Sequence, residues 1–257
     1  MALIGANGGL VGAARTSRRG AAVGMWTANE QVIYRRQNIW IGDASFTNVS
    51  LLLHMDGSNG STTFTDNSLN ALTVTANGNA QISTAQSKFG GSSGLFDGTG
   101  DYLSIAHNAA LSIESGDFTI ESWVYRAASG LLHNVVNKRI ATPASGHGWR
   151  VNADNTLQLF FTGGSSITST STVPSGVWTH IAVTRSGNTV RQFINGTIDA
   201  TTATFSDGTS NTQQFRVGID QDAVAGFNGY IDDLRITKGA ARYTASFTPP
   251  VNPFPDA

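Results

Sequence analysis

No cysteine occurs in the 257 residues of this chain. That excludes a disulfide-stapled scaffold, a zinc ribbon and thiol catalysis. Lysine stands only at Lys88, Lys138 and Lys238, glutamate only at Glu30, Glu114 and Glu121, and charged residues reach just 13%. Long helices and coiled coils draw on Ala, Glu, Lys and Leu, and this pool cannot supply them. No stretch approaches ~18 consecutive apolar residues, so no transmembrane helix or membrane insertion is expected. The opening segment has no basic residue before Arg15, and Gly8, Gly9 and Gly12 break its apolar run. A secretory signal places basic residues first and an uninterrupted apolar core next, so this segment does not read as one.

What the chain does have is 29 glycines and abundant Ser, Thr and Asn among scattered aromatics. That is the composition of a β-rich protein with many turns. The length allows one large β domain or two small ones. From Ser50 a period of two sets in. In FTIESWVYR, Phe118, Ile120, Ser122 and Val124 share one face, and Glu121, Trp123 and Tyr125 the other. SLLLHMD, TLQLFF, WTHIAVTR, VRQFING, FRVGID and YIDDLRIT continue the series, with Asn195-Gly196 and Asp97-Gly98 among the turn signals between them. Such dipeptides suit the positive φ of hairpin turns. Several strands are apolar on both faces, which predicts two stacked antiparallel sheets over a barrel with one wet face. No repeat of 20–50 residues is present.

Residues 1–42 differ from the rest. Five arginines (Arg15, Arg18, Arg19, Arg35, Arg36) face only Glu30, a net of +4, whereas residues 43–257 carry 11 basic and 16 acidic groups, a net of −5. This reads as an arm that docks elsewhere. Five arginines without an aromatic platform do not make a nucleic-acid site. Thr27 followed by Glu30 forms a capping box and predicts a short helix over 25–41. Trp26, Ile33, Tyr34, Ile39 and Trp40 form an apolar set with nothing local to bury it, the mark of an interface. Arg35 and Arg36 would sit at its rim. The alternative is that the segment folds back on its own sheet edge. At the other end, FTPPVNPFPDA holds four of the six prolines. It cannot be a central strand, and residues 251–257 read as a Pro-rich tail after a domain of 43–250.

Four segments in order, SLLLHMDGSNGSTTFTDNS, KFGGSSGLFDGTGDYLSI, SGDFTIESWVYR with SGVWTHIAVTRSGNTVRQFINGT, and FNGYIDDLRITKGAARYTASFTPP, carry a family resemblance. They resemble the laminin-G-like, concanavalin A-like jelly-roll superfamily, in the form found in bacterial and bacteriophage proteins. The resemblance implies an all-β, two-sheet antiparallel sandwich of about a dozen strands. The leader, with GMWTANEQ and a basic pair before Trp40, is similar to that of phage virion proteins carrying such domains. It implies a virion location, with residues 1–42 contacting other virion proteins and a homo-oligomer, a trimer favoured.

Catalysis finds little footing. A glycoside hydrolase needs two carboxyl groups flanking the sugar. Concanavalin-type glucanases, by resemblance, place Glu-x-Asp-x-x-Glu on one strand, and here that strand holds Glu121 alone. Asp232 and Asp233 are adjacent, so regular pleating would aim them at opposite faces. No Gly-x-Ser-x-Gly elbow or metal-type histidine spacing occurs. His54 and His180 read as hydrogen-bonded structural residues. No cofactor is required. The resemblance leaves room for a structural calcium at Asp56, Asp97, Asp101, Asp232 and Asp233, near strand ends, although Asp97 and Asp101 beside glycines are good turn formers anyway.

For carbohydrate, aromatic rings stack on sugars and amides or carboxylates fix hydroxyls. Trp123 and Trp178 lie in family-like strands where the tryptophan is usually core. Trp149 follows the loop-like Ser145-Gly146-His147-Gly148 and is the leading exposed candidate, with Tyr125 and Tyr102. Three readings result. The first is a non-enzymatic phage virion protein, tail fibre or capsid decoration, whose jelly roll projects outward toward a host-surface glycan. The second is a soluble carbohydrate-binding module. The third is a glycosidase.

Overall fold

The computed structural model describes residues 42–140, 143–162, 165–202 and 205–257. Residues 1–41 lie outside them, and with them the expected helix and the interface set Trp26, Ile33, Tyr34, Arg35, Arg36, Ile39 and Trp40. Thr47–Phe254 forms one compact unit. Residues 42–46 and 255–257 belong to another, in which the Asp43 N–H donates to the Ala257 carbonyl at 2.6 Å.

The described strands are β1 (Val49–Leu53), β2 (Val74–Asn77), β3 (Gln81–Ser83), β4 (Ser93–Asp97), β5 (Tyr102–Ile105), β6 (Phe118–Arg126), β7 (His133–Ile140) and β8 (Ser145–Val151). They continue with β9 (Thr156–Phe161), β10 (Ser166–Thr172), β11 (Thr179–Ser186), β12 (Thr189–Ile194), β13 (Thr197–Thr202), β14 (Phe215–Val217) and β15 (Asn228–Lys238). Two single 3-10 turns, Phe46–Asn48 and Ala109–Leu111, are the only helical pieces among the described residues. All strand pairings are antiparallel, and they make two sheets. The eight-stranded sheet runs β13-β12-β11-β6-β15-β4-β3, with β1 also on β15; the seven-stranded sheet runs β10-β9-β8-β7-β14-β5-β2. This is the expected two-sheet jelly-roll sandwich.

The core between the sheets follows the period-two pattern. From the eight-stranded sheet come Phe118, Ile120, Val124, Ile181, Val183, Ile231, Leu234 and Ile236; Leu103, Val136, Trp149, Leu159, Phe161 and Phe215 meet them from the other. Asn195 and Gly196 turn β12 into β13 with φ of 49° and 74°, the paired positive values a two-residue hairpin requires.

Part of the outer face of the eight-stranded sheet is buried as well. Residues 240–254 run across it without entering the sheet, as proline demands. Phe247 donates its N–H to the Gly196 carbonyl at 2.8 Å, and its ring stacks on Tyr243 with centroids 3.5 Å apart. Phe254 is 3% exposed, and the Arg235 guanidinium lies 3.9 Å from its ring centroid. Phe254, placed by sequence in the tail, therefore packs as part of the compact unit.

Under this strap sits Glu121, fully buried. Arg235, its register partner on β15, donates to Oε1 from Nε at 2.9 Å and Nη2 at 2.7 Å. Tyr243 OH donates to Oε2 at 2.8 Å. Burial alone would raise the carboxyl, but Arg235 and His180 outweigh it and hold Glu121 down to about 2. Tyr243 is pushed well above the usual phenol range by burial and the facing carboxylate. A buried ion pair of this kind adds little net stability, yet removing one partner strands the other charge. Arg235→Met is therefore expected to cost about 3–5 kcal/mol, on the order of 10 °C in Tm. Glu121→Met combined with Arg235→Met should recover most of that loss. Urea and thermal melts of the three proteins check this; a double variant no better than the single one contradicts it.

Candidate functional site

Cross-strand partners in an antiparallel sheet share a face. Phe160 pairs with Ser166 and Gly148, Gly148 with Asn137, Asn137 with Arg216, and Arg216 with Ser104. The next row joins Thr168, Gln158, Arg150 and Asn134. Alternation puts Arg139 and Tyr102 on this same face. The core takes the other one. The outer face of the seven-stranded sheet is thus a continuous field of arginine, amide, hydroxyl and aromatic side chains, mostly half-buried.

Its geometry is held by stacking. A Cβ on Gly148 would run into the Phe160 ring, so the glycine lets that ring lie against the sheet. The Arg150 guanidinium sits 4.8 Å from the Phe160 centroid, and its Nε donates to Asn152 Oδ1 and Gln158 Oε1, both at 3.0 Å. Arg216 repeats the arrangement over Tyr102, also at 4.8 Å, and its Nη1 donates to the carbonyls of Asp220 at 2.9 Å and Gln221 at 3.2 Å. Arg139 pairs with Asp222. Burial, and then the nearby Arg139, push Arg150 below its ordinary value, and an arginine stays charged through such a shift. Asn137 is fully buried at the centre. Its Oδ1 accepts from the Arg139 N–H at 3.2 Å, while Nδ2 has no partner among the described residues. Planar donors fixed by rings and carbonyls are preorganised for hydroxyl or carboxylate oxygens.

The sequence candidates divide across the molecule. Tyr102 belongs to this face. Trp149 does not, and its expected exposure is corrected: it is fully buried in the core. The run Ser145-Gly146-His147-Gly148 is strand β8 instead of a loop, and alternation sends His147, Trp149 and Val151 inward. Its glycines serve close approach, Gly146 beneath the Lys138 carbonyl and Asn211, Gly148 beneath Phe160. Tyr125 lies on the other sheet, half-buried with Trp178 and Tyr230, each 5.8 Å away by ring centroid. Interplanar angles of 59° and 76° mean that these rings meet tilted and edge-on and do not form a flat platform. Trp123 is core-like as expected, whereas Trp178 is half-buried. Arg150, Phe160 and Arg216 were missed. Arg150 and Phe160 lie in or beside strands that show as alternating, and only the cross-strand register gathers them.

The five aspartates do not form one set. Asp101 accepts from the N–H groups of Asn79 at 2.5 Å and Asp97 at 3.0 Å, and Asp97 from Thr99 at 2.7 Å, which makes them turn locks. Asp232 and Asp233 sit at a bulge where the far edge of β15 passes from β4 to β1, and Asp233 takes φ of 51°. The bulge cancels simple alternation, so both carboxyl groups are buried. Asp233 receives His54 Nδ1 at 2.5 Å and the Phe254 N–H at 2.8 Å. His54 is thus hydrogen-bonded as expected. His180 stands 3.5 Å from Glu121 Oε2, and is held mainly by the Trp123 and Phe247 rings. Asp232 Oδ2 accepts from the N–H groups of Lys88 at 2.7 Å and Phe89 at 3.1 Å, while buried Oδ1 has no partner among the described residues. Among the described residues no three His or carboxylate groups are placed to hold a metal. Calcium wants six to eight oxygens, carbonyls included; of the five aspartates, Asp56, Asp232 and Asp233 lie near one another, while Asp97 and Asp101 are taken up in turns.

Two stacked antiparallel sheets of this kind define the jelly-roll sandwich class. The profile of the concanavalin A-like lectin/glucanases superfamily (Laminin_G_3) matches residues 97–242, more than half of the chain. The chain belongs to that superfamily. No curated protein matches it. Among solved structures it is similar to domain 4 of AbnA, a GH43 extracellular arabinanase from Geobacillus stearothermophilus, in complex with arabinotriose. That likeness has 19% identity and a TM-score of 0.57, covering 76% of this chain and 94% of that one. It is also similar to the botulinum neurotoxin serotype D binding domain, at 14% identity and TM-score 0.57, covering 76% and 49%. The chain thus spans about half the length of the toxin binding domain. Likeness at these identities shows the fold.

Burial, with Asp233 and Asp56 nearby, raises Asp232 to about 7. The unfolded carboxyl ionises near its ordinary value while the folded one stays neutral. The stability that the neutral group contributes is therefore present at low pH and lost as pH rises toward about 7. Asp232→Asn should gain on the parent by at most about 1.4 kcal/mol per pH unit between pH ~4 and ~7, then level off. Melts across that range check the slope, and a constant difference contradicts it.

Proposed function

We propose that this chain is a non-enzymatic glycan-binding protein that uses the outer face of its seven-stranded sheet. The observation that carries the reading is the pair of preorganised guanidinium–ring stacks, Arg150 on Phe160 and Arg216 on Tyr102, flanking the buried Asn137 amide. Rings offer apolar patches to pyranose faces, and the arginines and amides offer fixed donors to ring and hydroxyl oxygens. The similarity to an arabinanase domain in complex with arabinotriose supports the choice of ligand class. Glu121 lies sealed under Tyr243 and Arg235, and Glu114 pairs with His147. Neither supplies the accessible carboxyl pair that glycoside hydrolysis needs.

The setting we propose is a phage virion, as tail fibre or capsid decoration, with residues 1–42 docking onto other virion proteins and the sandwich facing a host-surface glycan. The +4 head joined to a −5 body and the apolar set around Trp26 and Trp40 support this. A trimer is the favoured assembly.

Arg150→Ala should weaken the oligosaccharide selected on a glycan array by roughly tenfold to a hundredfold, since a hydrogen bond to a charged group is worth about 1.5–3 kcal/mol. Calorimetry reads this, and unchanged affinity refutes the sheet-face site. Deleting residues 1–42 should leave a soluble, folded domain that no longer joins particles. Full incorporation of the truncated chain refutes the anchoring role.

A further inference from the structure

A cleft of about 360 Å³ opens beside the 3-10 turn Ala109–Leu111, with Glu114, Ser115, Ser210, Asn211, Thr212 and Lys238 on its walls. It lies at the small end of the ~300–1,000 Å³ of ligand pockets. Glu114 is only 2% exposed. His147 Nδ1 meets its Oε1 at 2.9 Å, while Oε2 has no hydrogen-bond partner among the described residues. A buried carboxylate oxygen left unpaired is costly, and Glu114 is one of the residues lining the open cleft. The far wall is fixed from inside: buried Lys138 Nζ donates to the Asn211 carbonyl at 2.6 Å, and Asn211 Nδ2 returns a bond to the Lys138 carbonyl at 3.0 Å. Lys238 Nζ donates to the Ala109 carbonyl at 2.7 Å.

We propose that this cleft is a second binding site, separate from the sheet face, for a small neutral polyhydroxylated ligand the size of one pyranose unit. A hydroxyl can donate to Glu114 Oε2 while its neighbours accept from Lys238 and exchange bonds with Ser115, Ser210 and Thr212. Two ammonium groups, Lys138 and Lys238, oppose a cationic ligand. The Glu114 carboxylate opposes an anionic one. No Phe, Tyr or Trp lines the cleft, and His107 is the one ring on its walls, so recognition rests mainly on hydrogen bonds.

The test is amide chemical-shift titration of the full chain with the methyl glycosides of glucose, galactose, mannose and N-acetylglucosamine. At least one should shift Glu114, Ser115 and Ser210. Ser210→Trp, which fills the cleft and leaves the Glu114–His147 pair intact, should abolish those shifts. Glu114→Gln should weaken binding about tenfold, and Arg150→Ala should leave it unchanged. The proposal is overturned if no glycoside shifts these residues, if the Ser210→Trp protein binds as the parent does, or if methylammonium or acetate binds there more tightly than any glycoside. Should Glu114→Gln fail to fold, Ser210→Trp decides. Loss of binding with Arg150→Ala alone would assign the ligand to the sheet face, and so separates the two readings.

Discussion

The pairing of Glu121 with Arg235 governs how this sandwich is finished. It places a charge at the centre of the eight-stranded sheet, on the side away from the core. A carboxylate there is tolerable only if its oxygens are filled and water is kept out. Arg235 fills one oxygen and Tyr243 the other, and Tyr243 comes from the segment after the last strand. The strap of residues 240–254 is thus tied down by hydrogen bonding as well as by its rings. It makes the outer face of one sheet a second interior.

That closure bears on the face we propose for binding. Tyr243, Phe247 and Phe254 cover part of one outer face, on which Tyr125, Trp178 and Tyr230 stay half-buried, whereas the seven-stranded sheet displays half-buried arginine and aromatic side chains across its outer face. The guanidinium groups of Arg150 and Arg216 are locked by rings, side-chain amides and main-chain carbonyls, so little side-chain entropy would be lost on binding a ligand. The charge that seals one sheet and the charges displayed on the other use the same chemistry: an arginine against an aromatic ring, Arg235 on Phe254 within, Arg150 on Phe160 without.

Much of the fold was legible because period-two patterning and Asn-Gly turns are local signals. β6, β9, β11, β12 and β15 all show as apolar alternation. β7 and β8 were hidden, since HNVVNKRI carries charge and SGHGWRV carries two glycines. There the packing partner, the Phe160 ring above Gly148, decides the residue, and a sequence window cannot see it. The same blindness misplaced Trp149. In the sequence Glu121 stands as a lone carboxylate without a catalytic mate; its partners lie 114 and 122 residues away on the chain. The site was the least legible part, because it is a property of register. Tyr102, Asn137, Arg150, Phe160 and Arg216 come from five strands that only the folded sheet aligns.

The most direct test of this account is amide chemical-shift mapping with a saturating array-selected oligosaccharide. The largest perturbations should fall on Asn137, Arg139, Arg150, Gln158, Phe160 and Arg216, with Glu121, Arg235 and Tyr243 unmoved. Perturbations confined to Tyr125, Trp178 and Tyr230 on the opposite sheet would contradict it.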